Sequence, residues 1–215
     1  MKRVADEVIR RLRRHYGDVH TGLRHSGITE LFVAVLLSPQ CTDAQVNKAT
    51  SGLFSTKRGF DYYANAGLPE LRRRLKGVNY YKTKAKNLRD SSRIILERFG
   101  GHVPDTMREL LELPGVGRKV ANVILNEGFG IAEGIAVDTH CARVSRRLGL
   151  SRQKAPDKIE KDLMKRLPEG SLIVASNLLI ALGRDTCRAR KKECCRCVLN
   201  DVCPSSNVIV SKVHG

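Results

Sequence analysis

The chain has 215 residues, of which 41% are apolar, so it is long enough for one large core or two small ones and too apolar to be disordered. Lys and Arg number 39 against 22 Asp and Glu, a formal charge of +17. That excess points to a polyanionic partner, nucleic acid before a membrane surface, the plainer alternative being a basic but merely soluble protein. No stretch approaches the ~20 apolar residues needed to cross a bilayer, the longest runs being 31–37 and 178–182.

Nearly every segment has helical spacing and almost none alternates, so the expected fold class is all-α with roughly ten helices joined by short connections. The opening Met1 to Arg14 has no hydrophobic signal region and reads as an amphipathic helix, from which an intracellular location is expected. Residues 29–38 are apolar enough for a buried helix. Thr42 or Asp43 caps another that runs to about Leu53. Pro69 opens a helix over 69–76. Residues 81–99 form a longer one, with Ala85, Leu88, Ile95 and Phe99 on one face and Gly100-Gly101 at its end.

Next come two short helices around a tight turn. Residues 106–113 form the first, with Thr106 and Glu109 spaced as a capping box. Arg118 to about Asn126 form the second. Between them Pro114 stops the first helix, while Gly115 and Gly117 permit angles and close approaches that a Cβ would obstruct. A helix opening from such a turn presents main-chain N–H groups outward, which suits a phosphate. Lys119 stands two residues past the second glycine. It serves either as a phosphate clamp or, as a neutral amine, as the nucleophile that Schiff-base chemistry requires.

A small-residue connection over 127–134 leads through the apolar Ile135-Ala136-Val137 to Asp138. That aspartate is expected to cap a helix over 139–148, stopped by Gly149, and also to stabilise a cationic sugar and shuttle protons. His140 beside it is expected to be a packed residue. Ile159, Leu163 and Leu167 mark an amphipathic helix, and residues 172–182 an apolar one. No repeat or linker divides the chain.

The seven cysteines are lopsided: Cys41 and Cys141 stand apart, and five fall within 187–203. The spacing Cys187-x6-Cys194-x2-Cys197-x5-Cys203 points to metal rather than disulfides, either tetrahedral zinc or an iron–sulfur cluster. Only one short knuckle is present and the loops of six and five are wide, which favours the larger guest. Cys195 cannot easily point the same way as Cys194. Tethered between ligands, the segment Arg188-Ala189-Arg190-Lys191-Lys192-Glu193 becomes a basic loop for phosphates.

Four pieces together resemble the endonuclease III family of helix-hairpin-helix DNA glycosylases, over residues 25 to 203. They are Leu113-Pro114-Gly115-Val116-Gly117-Arg118-Lys119, Ala136-Val137-Asp138-Thr139-His140, the four-cysteine spacing, and Leu36-Leu37-Ser38-Pro39-Gln40-Cys41-Thr42-Asp43. The resemblance implies a two-domain fold: a six-helix barrel over 22–133, and a helical domain from 1–21 and 134–215 that carries a [4Fe–4S] cluster. It implies a monomer acting on duplex DNA with damaged pyrimidines or abasic sites, in the nucleoid if the source is prokaryotic. Lys119 then attacks C1′ of a flipped-out nucleotide and Asp138 assists. Cys187, Cys194, Cys197 and Cys203 hold the cluster. DNA contacts fall to Gln40, Tyr80, Leu113, Gly115, Val116, Gly117, Arg190 and Lys191, with Gln40 and Tyr80 inserted into the vacated stack. Where the family has Gly-(Leu or Phe)-Tyr before a Lys-Ala pair, this chain has Asn79-Tyr80-Tyr81 before Lys84-Ala85, and Asn79 is expected to take the left-handed angles of that glycine. Two other readings remain: a monofunctional mismatch glycosylase, whose relatives lack the lysine, and a non-catalytic DNA-binding module.

Overall fold

The computed structural model describes residues 2–56 and 59–208, and among them it contains eleven α-helices and no strand beyond the single bridge Cys187–Lys192. The chain divides into two units, residues 21–133 and residues 1–20 with 134–215.

The first helix, α1 (Lys2–Tyr16), belongs to the second of these units. The other unit starts with α2 (Ile28–Leu37), in which all residues from Leu31 to Leu37 are buried. Buried on every side, α2 is the post around which its neighbours assemble. Each of its large side chains contributes about 1.5–3 kcal/mol of burial. Next is α3 (Asp43–Phe54), and its cap is Thr42, whose hydroxyl accepts the Gln45 N–H while the Gln45 side chain accepts the Thr42 N–H. A short helix that the sequence did not announce, α4 (Phe60–Asn65), buries Phe60 and Tyr63, and α5 (Leu68–Arg74) has Pro69 in its first turn. Both pack along α6 (Tyr81–Phe99). Gly100 and Gly101, at φ 58° and 83°, close α6, and the Gly101 N–H returns to the Ile95 carbonyl.

The two hairpin helices are α7 (Met107–Leu110) and α8 (Arg118–Ile124). α7 is shorter than expected. Thr106 does accept the Glu109 N–H, but the Glu109 carboxylate takes the Thr106 hydroxyl rather than its N–H, so half of the capping box forms. α8 also stops early and widens into a π-turn over Leu125–Phe129, within which Gly128 packs under the Ile28 side chain at the start of α2.

In the other unit, α1 buries Ala5, Val8, Ile9 and Leu12 on one face. It is joined by α9 (Thr139–Arg147), α10 (Pro156–Arg166) and α11 (Leu172–Asp185). Leu167 is buried but lies just past α10 in extended backbone. At Gly183 the side chains of His140 and Val144 approach α11 so closely that a Cβ would meet them at 3.0–3.2 Å. Arg11 donates to Asp201 at 2.6 Å and to the Val198 carbonyl, tying α1 to the cysteine-rich segment. Arg10 and Arg11 together hold the Glu7 carboxyl down at about 2.

Candidate nucleic-acid and cluster sites

The hairpin turn is gripped from behind by α6. Ser91 donates its hydroxyl to the Pro114 carbonyl at 2.8 Å. One turn earlier on the same face, the Asn87 amide lies on Gly115, where a Cβ would meet Asn87 Nδ2 at 2.5 Å. Gly115 has φ +85°, so both its angle and its crowding require glycine. Gly117 differs. Its backbone is ordinary extended chain (φ −94°, ψ 172°) and nothing lies within 4 Å of its Cα face. What a side chain would obstruct there is a ligand arriving from outside. Gly117 also brings no side-chain cap to α8.

Leu113 and Val116 are 2% and 6% exposed, so their side chains belong to the core and are not free to meet a ligand. The Val116 N–H closes the turn on the Leu113 carbonyl. Lys119 is exposed on the first turn of α8. The local sequence thus produces a rigid turn with an open glycine face and a free-standing amine beside it.

Gln40 and Tyr80 share an unusual property. Among the described residues they are the only two non-glycine positions with positive φ, at 58° and 56°. This corrects the expectation for Asn79: the left-handed angles fall on Tyr80, the N-cap of α6. Such conformations cost about 1–3 kcal/mol each and need support from their surroundings. Asn79 supplies part of it. Its amide donates to the Gln40 carbonyl and its N–H donates to Cys41 Sγ at 3.3 Å. Tyr80 stands out with 65% of its surface exposed, and Gln40 is exposed as well. Two candidate inserting side chains are therefore brought together by one asparagine.

In the other unit, Ile135, Ala136 and Val137 are buried, with the Ile135 N–H on Glu160 of α10 and the Ala136 carbonyl accepting from Ser176 of α11. Asp138 emerges from this held segment with its side chain 17% exposed. One carboxylate oxygen caps α9 by accepting the Cys141 N–H at 2.7 Å. The other faces His140 Nδ1 at 3.3 Å. The cap thus engages one carboxylate oxygen and leaves the other facing His140. His140 is not fully packed away but is one-third exposed beside that oxygen.

Cys187, Cys194, Cys197 and Cys203 line one small pocket, together with Arg147, Leu148 and Leu182 among others. Cys195 is exposed and does not line it. Burial first, and then the neighbouring thiols, push the Cys197 and Cys203 thiols up. Four thiols that feel one another in one pocket suit a cationic guest. No three described His, Cys, Asp or Glu side chains converge tightly enough to hold a single ion.

The basic loop is anchored by a residue that sequence reasoning missed. Arg147 donates to the carbonyls of Cys187, Arg188 and Ala189 and to Cys187 Sγ at 3.3 Å. Its only sequence signal is a basic dipeptide at the end of α9, indistinguishable from a solvated one. With the Cys187–Lys192 bridge and Lys192 on the Ser205 carbonyl, it leaves Arg188, Arg190 and Lys191 exposed along the loop.

Residues 33–169 match the family described as HhH-GPD superfamily base excision DNA repair protein. The endonuclease III of Synechocystis is 41% identical over 95% of this chain and 94% of its own. Those of Bacillus subtilis and Escherichia coli K12 are 46% and 40% identical, covering 84% and 92% of this chain and 83% and 93% of their own. A solved structure of a trapped endonuclease III–DNA covalent intermediate superposes with a TM-score of 0.89 at 37% identity, over 95% of this chain and 96% of that one.

Proposed function

The chain belongs to the HhH-GPD superfamily of base excision DNA repair proteins, in its endonuclease III branch, and on that premise we propose that it removes oxidised pyrimidines from duplex DNA and cuts the strand at the resulting abasic site. The observation that carries this reading is Lys119, an exposed amine on the first helical turn after a glycine hairpin. The hairpin main chain holds a phosphate, and the amine beside it reaches the sugar.

The Lys119 nitrogen attacks C1′ of the extruded nucleotide. The C1′–N bond to the base breaks, and the base leaves with a proton. Opening of the sugar ring gives an imine that acidifies the 2′ hydrogen. Loss of that proton breaks the bond from C3′ to its oxygen and cuts the strand on the 3′ side, and water then frees the lysine. The Asp138 oxygen not used in the cap stabilises the cationic sugar and moves protons at the ring oxygen. Gln40 and Tyr80 fill the space that the base vacates, and Arg190 and Lys191 add phosphate contacts. If the source is prokaryotic, this substrate implies a place with chromosomal DNA in the nucleoid.

The four pocket cysteines would hold a [4Fe–4S] cluster. The loops of six and five residues around a single short knuckle support that guest over zinc, whose sites usually pair two short knuckles. When bound, the cluster supplies a covalent clamp for the basic loop. Protein purified without air is expected to be brown, with about four irons per chain. A colourless protein with one zinc would overturn this assignment.

The activity is tested on duplexes carrying thymine glycol. The expected product is a strand already nicked on the 3′ side without alkali. Release of base from an intact strand, above all at a mismatch, would favour the monofunctional reading instead.

A further inference from the structure

Lys84 is 6% exposed, on the first turn of α6, and none of its three ammonium partners is a carboxylate. Its Nζ donates to the Leu37 carbonyl at 2.8 Å, the Pro39 carbonyl at 2.6 Å and Cys41 Sγ at 3.4 Å. Leu37 is the last residue of α2, so the charge sits where that helix dipole is negative. Pro39 and Cys41 flank Gln40. On its own helix, the Lys84 N–H closes onto the Tyr80 carbonyl at 3.0 Å. Asn79 completes the circuit through Cys41 Sγ and the Gln40 carbonyl. Residues at both left-handed turns are therefore bonded to one buried lysine. Burying an ammonium without a counter-ion is expensive, so a merely structural contact would be better served by an apolar side chain.

We infer that Lys84 is a positioning residue that locks the Gln40 and Tyr80 turns into a single two-pronged element, so that both side chains enter the DNA stack together. This rests on the reading of Gln40 and Tyr80 as the side chains that fill the gap. The lysine does not touch DNA. It acts by holding two costly backbone conformations ready before the substrate arrives, which removes the ordering from the base-extrusion step.

The full-length protein tests this with Lys84→Met, which keeps the length of the side chain and removes the three bonds. Single-turnover excision from a thymine glycol duplex is expected to fall by about tenfold, the loss of a charge-assisted hydrogen bond. Borohydride trapping on a single-stranded abasic oligonucleotide, where no stack has to be opened, is expected to change by less than about twofold. In a Gln40→Ala/Tyr80→Ala background, Lys84→Met is expected to have no further effect. Equal losses on duplex and single strand, additive losses in the triple variant, or an unchanged duplex rate would each overturn the inference. If the prong variants excise at the wild-type rate, the assignment of Gln40 and Tyr80 fails, and the inference with it. Should Lys84→Met not fold, Asn79→Ala cuts the circuit at an exposed residue and is expected to lower duplex excision by about threefold; no change there would also overturn it.

Discussion

Replacing Lys119 by alanine should abolish strand cleavage and lower base release by about 10,000-fold or more, measured as single-turnover rates on a thymine glycol duplex. The substitution removes the nucleophile and leaves everything that presents it. Lys119 is exposed and alanine is the better helix former, so α8 should lose no stability. The hairpin grip is made of main chain, Ser91 and Asn87, none of which is altered. DNA affinity should therefore fall only by the loss of one cation near the phosphates, a small and salt-dependent effect. A variant that binds lesion DNA but neither cuts it nor frees the base separates chemistry from binding. If it still excised at the wild-type rate, Lys119 would be only a phosphate clamp.

The second large effect is at Asp138, where the geometry allows the cap to be separated from the chemistry. Asparagine caps helices as well as aspartate does, so Asp138→Asn should keep the Cys141 N–H bond and the melting temperature. It removes the negative charge from the oxygen that faces His140. Base release should drop by about 100- to 10,000-fold, the usual range for a lost acid–base group. Asp138→Ala should show the same rate loss and, in addition, about 1 kcal/mol of lost stability from the missing cap. If the asparagine variant keeps full activity while the alanine variant is only less stable, Asp138 is a cap and nothing more.

How much of this was legible follows from where each feature's cause lies. The hairpin could be read because its signals are local: proline ends one helix, glycine takes the positive angle, and the next helix starts at once. The cysteine pocket could be read because ligand spacing along the chain limits what can be held. Thr42 and Asp138 could be read as caps for the same local reason. By contrast, α4 is six residues long with Gly59 as an unhelpful cap, and it is helical because Phe60 and Tyr63 are buried against their neighbours. The π-turn that follows α8 packs its Gly128 against Ile28, a hundred residues earlier, a contact that local sequence does not announce.

The turn at Asn79-Tyr80 is the most instructive difference. Residue preference places left-handed angles on asparagine rather than tyrosine. The structure reverses this because the asparagine side chain is engaged elsewhere, on Gln40 and beside Cys41. Tertiary bonding outweighs a preference of about a kcal/mol. Lys84 and Arg147 were hidden for a related reason. In a chain with 39 basic residues, nothing in the sequence separates a buried or loop-pinning cation from a solvated one.

The proposed activity rests on one amine, on the first turn of α8, forming a bond to the sugar. Its most direct test is to reduce the protein with borohydride in the presence of an abasic duplex, digest both components, and locate the adduct by mass spectrometry. One modified peptide is expected, carrying the sugar remnant on Lys119, with a missed tryptic cleavage at that residue. An adduct on another lysine or on the terminal amine, or base release with no adduct at all, would contradict it.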